Sequence, residues 1–259
     1  MFSQERHRDL LALLEQRRRA TNAELLRALR ISEATLRRDL AELEDAGLVV
    51  RFHGGAAHPA YLHGEPTYEQ RSREGRAQKV AIGEAAAALV PAQQTVFLDA
   101  GTTCVEVGRA LATRSDVVVV TGSIAFAHAA RDAAAKIIVI GGELRGVTSA
   151  LVGGLAQSWL DQLNADWAFV GASGLDAEGP STTELSESAV KQAMLRRARH
   201  RVVVADASKW GQAAAVRFAR WADVDSWVTA GAPRDAVATV ERAGPRVLSA
   251  RTANPKENR

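Results

Sequence analysis

The chain has 259 residues, of which 47% are hydrophobic and 24% charged, the balance of a folded globular protein rather than a disordered one. Basic residues exceed acidic ones by three, 33 against 30, and Cys104 is the single cysteine, which excludes an internal disulfide and a cysteine-built zinc site. No apolar run approaches the roughly 20 residues of a membrane helix, and the polar start lacks an apolar signal core, so a cytoplasmic protein of two domains, or of one large α/β unit, is expected.

Residues 1–58 read as short helices with tight joints. Leu10, Leu11, Leu13 and Leu14 give an apolar stripe to a helix from about Gln4 to Gln16. Arg17, Arg18 and Arg19 follow it, where positive charge meets the negative pole of the helix dipole. Thr21 reads as an N-cap, and Glu24 completes a capping box for a second helix carrying Leu25, Leu26 and Leu29. After the short joint Arg30-Ile31, Ser32 caps a third helix from Glu33 to about Ala46, ended by Gly47. Leu48–Phe52 then reads as a wing strand broken by Gly54-Gly55.

The third helix is the telling one. On a wheel with Leu36 at zero, Leu40 and Leu43 fall within about 40° and form the buried stripe. Ala34 and Arg38 point away, with Thr35 and Arg37 on the flanks. Arginine donates bidentately to guanine, threonine bonds a phosphate or touches a thymine methyl, and alanine permits close approach, so this face suits a major groove. The capped N-termini at Thr21 and Ser32 would offer amides to backbone phosphates. Asp39 opposes phosphate binding unless it pairs with Arg38, with an arginine one turn away or with a neighbouring helix, and orients a guanidinium.

Residues 59–75 hold Pro59, Gly64, Pro66 and Gly75 without a period and read as a linker. From Arg76 the pattern changes. Short β-branched runs at Thr95–Leu98, Val117–Val120, Ile137–Ile140, Trp167–Val170, Val202–Ala205, Ser226–Thr229 and Arg246–Leu248 alternate with Ala-rich helical stretches up to about residue 250. That alternation requires a buried, mostly parallel sheet. Residues 251–259 read as a flexible tail.

Three strands run into small-residue turns: Asp99-Ala-Gly101-Thr102-Thr103, Thr121-Gly122-Ser123 and Gly141-Gly142-Glu143. Glycine turns, hydroxyls and helix-start amides at the carboxyl ends of parallel strands make an anion cradle. No G-x-G-x-x-G or Walker A string is present. A fourth strand ends in Asp206-Ala-Ser-Lys209, where a lysine can reach a phosphate and an aspartate a sugar hydroxyl. Other features carry less. Ser188-x-x-Lys191 lies mid-helix without companion catalytic motifs. Cys104 reads as a packing residue. His53, His58 and His63 recur every five residues in a loop, which is not metal-ligand spacing. The five tryptophans are scattered and read as packing or subunit contacts.

The run Leu29-Arg-Ile-Ser-Glu-Ala-Thr-Leu-Arg-Arg-Asp-Leu40, followed by Gly47, Arg51, His53, Gly54 and Gly55, resembles the winged helix-turn-helix of DeoR-type bacterial repressors. Asp99-Ala-Gly-Thr-Thr, Gly141-Gly-Glu-Leu-Arg145, Glu187-Ser-Ala-Val-Lys191 and Asp206-Ala-Ser-Lys209 are similar to that family's sensor domain, a relative by fold of ribose-phosphate isomerase. The resemblance covers about residues 3–250, with glycine at 122 where the family often has asparagine. It implies an α/β fold class: a small winged helix-turn-helix joined to an open, mostly parallel sheet domain. It further implies a repressor of a carbohydrate-metabolism operon that binds double-stranded operator DNA as a homo-oligomer under control of a phosphorylated sugar, with no cofactor. Arg51 and His53 then join Thr21, Ser32, Ala34, Thr35, Arg37 and Arg38 as DNA contacts. Asp99, Gly101, Thr102, Thr103, Gly122, Ser123, Gly142, Asp206 and Lys209 become effector contacts. Two other readings compete: a sugar-phosphate isomerase or deaminase, and a ligand-insensitive DNA-binding protein.

Overall fold

The computed structural model describes residues 3–17, 19–52, 54–57 and 65–252. The chain divides into two compact units, Met1–Pro66 and Thr67–Arg259.

In the first unit, helices α1 (Ser3–Arg17), α2 (Asn22–Leu29) and α3 (Glu33–Asp45) surround Leu10, Leu14, Leu25, Leu36, Leu40 and Leu43. Each leucine buried this fully contributes roughly 1.5–3 kcal/mol. The predicted caps form: the Thr21 hydroxyl accepts from the Glu24 amide at 3.3 Å, and Ser32 accepts from the Thr35 amide at 3.2 Å. Gly47, at φ +70°, supplies the left-handed residue past the end of α3. The joint between α2 and α3 turns on Arg30 at φ 52°, a conformation that L residues seldom adopt. The wing is larger than the sequence suggests. Strands β2 (Val50–Phe52) and β3 (Gly55–Ala57) form a hairpin, and β1 (Arg19–Thr21) adds a third strand through β3. The three-arginine run therefore does not simply close α1: the helix stops at Arg17, and Arg19 already belongs to a strand. Three residues carry no readable period, which is why β1 escapes the sequence.

The second unit begins earlier than its first predicted helix. Tyr68–Arg73, inside the expected linker, forms helix α4. Thr67 and Gln70 close a capping box, and Tyr68 packs against the apolar layer below. One turn with a single anchoring aromatic gives too short a stripe to recognise. Helix α5 (Arg76–Ala87) follows and crosses α6 (Thr102–Ala112) so closely that a Cβ on Gly83 would lie 2.6 Å from the Glu106 backbone.

All seven predicted strands form one parallel sheet: β4 (Thr95–Leu98), β5 (Val118–Thr121), β6 (Lys136–Val139), β9 (Ala165–Gly171), β12 (Ala198–Val204), β14 (Ser226–Thr229) and β15 (Arg246–Ser249). Their order is β15-β14-β12-β9-β4-β5-β6. Side chains alternate between two core layers as the strand period of two demands. Phe97, Val170, Val203 and Trp227 point to one layer; Val96, Leu98, Phe169, Val202, Val204 and Val228 point to the other. The chain builds outward from β4 through β5 to β6, then returns to the other side of β4 with β9. The order reverses between β4 and β9, the place where open α/β sheets bind ligands beyond the carboxyl ends of their strands.

Smaller elements decorate this frame. A hairpin of β7 (Glu143–Arg145) and β8 (Ala150–Val152) precedes α8 (Gly153–Asp161). A short antiparallel sheet joins β10 (Gly174–Leu175), β11 (Pro180–Thr182) and β13 (Val216–Arg217). Helices α7 (Ile124–Ala129), α9 (Leu185–Arg196) and α10 (Arg234–Arg242) complete the layers. Among the described residues, no helix is long and apolar enough to cross a membrane.

Candidate DNA-reading face and effector edge

Helix α3 presents Ala34, Arg37 and Arg38 to solvent, with Thr35 half-exposed beside them. Arg37 pairs one turn back with Glu33 at 3.3 Å, an exposed pair that water screens and a phosphate can displace. Arg38 has no hydrogen-bond or ionic partner among the described residues, so its guanidinium is available. The Ser32 and Thr35 hydroxyls are 2.8 Å apart and engage each other, and the Thr21 hydroxyl is taken up in its capping box. These residues order the helix starts as well as facing outward. Arg51 stands on the wing strand β2, with its backbone amide on Glu44 at 3.1 Å and its guanidinium 3.6 Å from the same carboxylate. His53 lies outside the described residues, as do His58 and His63.

Asp39 turns away from the DNA-reading face and is buried. The Arg6 guanidinium on α1 grips it with two bonds, Nε to Oδ2 at 2.6 Å and NH2 to Oδ1 at 2.7 Å. His7 approaches it at 3.3 Å. Bonding to Arg6 holds the Asp39 carboxyl below its ordinary range. The neighbouring-helix option is thus the one realised, and the pair clamps α1 to the recognition helix. His7, Asp39 and Glu42 bring ligand atoms within 4.8 Å of one another, but the two-bonded guanidinium on Asp39 explains that cluster without a metal ion.

At this edge of the sheet, Asp99 follows β4 directly. Its Oδ2 accepts the Gly171 amide from the end of β9 at 2.9 Å and the ammonium of Lys191 from α9. Lys191 also donates to the Gly171 carbonyl at 3.1 Å. Burial penalises this ammonium most, yet the Asp99 and Glu187 carboxylates outweigh it and hold Lys191 charged. One turn earlier on α9, Glu187 accepts from Arg145 at 3.1 Å and from the Thr182 hydroxyl at 3.0 Å. Gly101 caps α6 without a side-chain bond, and its Cα sits against Gly171. The Thr102 and Thr103 hydroxyls behind it have no partner among the described residues. Cys104 is fully enclosed, and burial pushes its thiol well up, so it is an inert packing group.

The other turns are more constrained. Ser123 is fully buried, its hydroxyl accepting from the Phe126 amide at 3.1 Å to start α7. The Gly122 carbonyl accepts from Leu151 at 2.8 Å, so this turn is braced by the β8 strand. Gly142 packs against the β8–α8 junction, where a Cβ would come within 2.8 Å of the Val152 carbonyl. Asp206 caps a single 3-10 turn by accepting from Ser208 at 2.9 Å. Lys209 ends that turn half-exposed, with an ammonium free of partners among the described residues. A separate open cleft of about 600 Å³, lined among others by Gln192, Arg217, Phe218 and Arg220, contains none of the expected effector residues.

Residues 74–230 match the model of the DeoR C-terminal sensor domain, and residues 6–60 match that of the DeoR-like helix-turn-helix domain. The chain belongs to the DeoR family of transcriptional regulators. It is 36% identical to the HTH-type transcriptional regulator GlpR of Haloferax volcanii over 96% of this chain and 98% of that one. It is 31% identical to the glycerol-3-phosphate regulon repressor of Escherichia coli over 90% and 93% of the two chains. These relatives are transcriptional regulators, not enzymes. Among solved structures, the ribose 5-phosphate isomerase of Methanocaldococcus jannaschii is 19% identical over 51% of this chain and 53% of that one, with a TM-score of 0.36.

Sequence reasoning passed over two lysines of this regulator. Lys191 shows in the sequence as half of the Ser188-x-x-Lys191 string and as the end of the Glu187-Ser-Ala-Val-Lys191 stretch, neither of which points to Asp99. Lys79, on α5, is buried and donates to the carbonyls of Arg71 and Glu74 (the latter at 2.6 Å) at the end of α4. Burial depresses its ammonium, and Asp206 and Lys209 lie within electrostatic reach. The chain has 28 arginines and only five lysines; Lys191 bonds Asp99 and Gly171 at the ends of β4 and β9, and Lys209 ends the turn after β12.

Proposed function

We propose that the regulator is a cytoplasmic repressor of a carbohydrate-metabolism operon. It binds double-stranded operator DNA as a homo-oligomer and is released by a phosphorylated sugar or related metabolite. The observation that carries this reading is the edge at the β4–β9 reversal. There the start of α6 and two unbonded hydroxyls follow the buried Asp99–Lys191 pair, and the free Lys209 ammonium ends the turn after β12, two strands across the same sheet. The helix amides of α6 and the Lys209 charge suit a phosphate. Asp99, with Oδ2 committed to Gly171 and Lys191, ties the ends of β4 and β9 together, and Asp206 suits a sugar hydroxyl. On the DNA side, Arg38 reads bases, and the starts of α2 and α3, Arg51 on the wing and His53 meet phosphates.

Control works by population shift: the effector binds the released form better than the operator-bound form. A coupling of about 1–3 kcal/mol changes operator affinity several-fold to about a hundredfold. Thermal unfolding against a panel of sugar phosphates and their unphosphorylated parents tests the sensor. Glycerol 3-phosphate belongs in that panel because it stands in the name of a relative. A ligand at 100 times its Kd adds about 2.7 kcal/mol. A shift confined to a phosphorylated member is the expected result; equal shifts from phosphorylated and unphosphorylated forms would remove the phosphate from the reading.

A further inference from the structure

Helix α4 is the first element after the chain leaves the helix-turn-helix unit at Pro66. Its start is fixed by the Thr67–Gln70 capping box, and its body packs on α6, whose first residues are Thr102 and Thr103. Its end is held differently. The Lys79 ammonium, from the first turn of α5, donates to the carbonyls of Arg71 and Glu74. Lys79 is 5% exposed, and no carboxylate stands within ion-pair distance of it among the described residues. Neutral carbonyls satisfy its donors but leave its charge uncompensated, although an uncharged amide could fasten the same helix end. The joint between α4 and α5 passes through Gly75 at φ +56°, a single residue on which the two helices can turn against each other.

The same ammonium is directed at the effector edge. Helix α5 lies against β12 and β14, and β12 runs into the Asp206–Lys209 turn. Asp206 attracts the Lys79 charge and Lys209 repels it. We propose that Lys79 is the residue through which an anion at the Asp206–Lys209 turn acts on α4, and so on the DNA-binding unit that α4 follows in the chain. Its ammonium holds the end of α4 in the effector-free protein and is drawn towards the anion in the loaded one. This rests on the reading of that turn as the place of the effector's phosphate. A phosphate there carries about 1.5–2 negative charges at neutral pH. It cancels the repulsion by Lys209 and offers charged acceptors in place of neutral ones. The flexible four-carbon stem of lysine can follow it. The Arg71 and Glu74 carbonyls then lose their donor while the capping box at the other end of α4 stays closed. Lys79 is thus a positioning residue for the response, acting on DNA binding through α4.

The test uses the full chain and the sugar-phosphate panel, glycerol 3-phosphate and ribose 5-phosphate included, with the unphosphorylated parents as controls. Operator release is read by fluorescence anisotropy, and amide exchange over residues 67–76 by hydrogen–deuterium exchange. In wild type, the phosphate that releases the operator should speed exchange at the end of α4. Lys79→Gln keeps a donor for the carbonyls and removes the charge. Its release factor, the ratio of operator affinities without and with that phosphate, should fall from the range of about 5–150 to about 2 or less. Lys79→Arg keeps the charge and should keep the release. A merely structural lysine would lower the melting temperature of Lys79→Gln and leave its release factor as in wild type, which would overturn the proposal. Release of wild type with unchanged exchange at α4 would overturn it too, and needs no variant. In both cases the reading of the effector edge stands. A wild type that no member of the panel releases from the operator would overturn that reading and this assignment with it.

Discussion

Replacing Lys191 with methionine removes the ammonium that neutralises Asp99 while keeping most of the side-chain volume. Both partners are almost enclosed, at 7% and 9% side-chain exposure. The variant loses the bond to Asp99 and the 3.1 Å bond to the Gly171 carbonyl, leaving Asp99 with the Gly171 amide and the weak 4.0 Å contact of the Cys104 thiol. Breaking a buried pair from one side costs about 3–5 kcal/mol, and the slight solvent access here favours the lower end. For a unit of this size, each kcal/mol moves the melting temperature by about 2–4 °C, so the sensor transition should fall by roughly 6–12 °C. Pairing Lys191→Met with Asp99→Asn should recover much of the loss, giving a coupling of about 1–3 kcal/mol in a double-mutant cycle. The assay is calorimetry of the four proteins at pH 7. A Lys191→Met variant as stable as wild type, or strictly additive losses, would refute the view that this pair locks β4, β9 and α9 together.

Arg38→Ala should weaken specific operator binding by about 1–3 kcal/mol with an unchanged melting temperature; equal affinity in a gel-shift titration removes Arg38 from base readout. Lys209→Ala should abolish the thermal shift given by the phosphorylated effector while sparing operator binding without effector; a normal shift shows that this ammonium does not hold the phosphate. Asp39 has a folded pKa below its unfolded one, so its contribution is present above the usual carboxylate range near 3.9 and is lost as pH falls below about 4. Asp39→Asn should therefore lower the stability of the helix-turn-helix unit at pH 7 and flatten its acid dependence, and an acid melting curve parallel to wild type counts against the Arg6 clamp. Thr21→Ala should cost about 1 kcal/mol through the lost capping box, measured by urea unfolding.

The sequence exposes most of the frame because the frame is periodic. Seven β-branched runs become seven strands of one sheet, and Thr21, Ser32 and Gly47 take their expected places at helix ends. The elements that escape it are short or depend on distant partners. Strand β1 has three residues and exists because β3 offers Ala56 to pair with Ala20. Helix α4 is a single capped stretch held by Tyr68. The site divides the same way. Asp99, Gly101, Thr102 and Thr103 are legible as a turn after a strand. Lys191 reaches Asp99 across 92 positions of sequence, and no local pattern points there. Ser123 carries a second role that the sequence does not show: its buried hydroxyl accepts from the Phe126 amide at the start of α7.

The central claim is that one metabolite controls the hold of this protein on DNA. The direct measurement is fluorescence anisotropy of an operator duplex, selected from genomic fragments by the full chain, titrated with protein at fixed salt. Each phosphorylated sugar that shifts the melting temperature is then added in turn. The account predicts that one of them lowers operator affinity by a factor of about 5–150, and that its unphosphorylated form does not. Operator affinity unchanged by a sugar phosphate that demonstrably binds the sensor domain would contradict it.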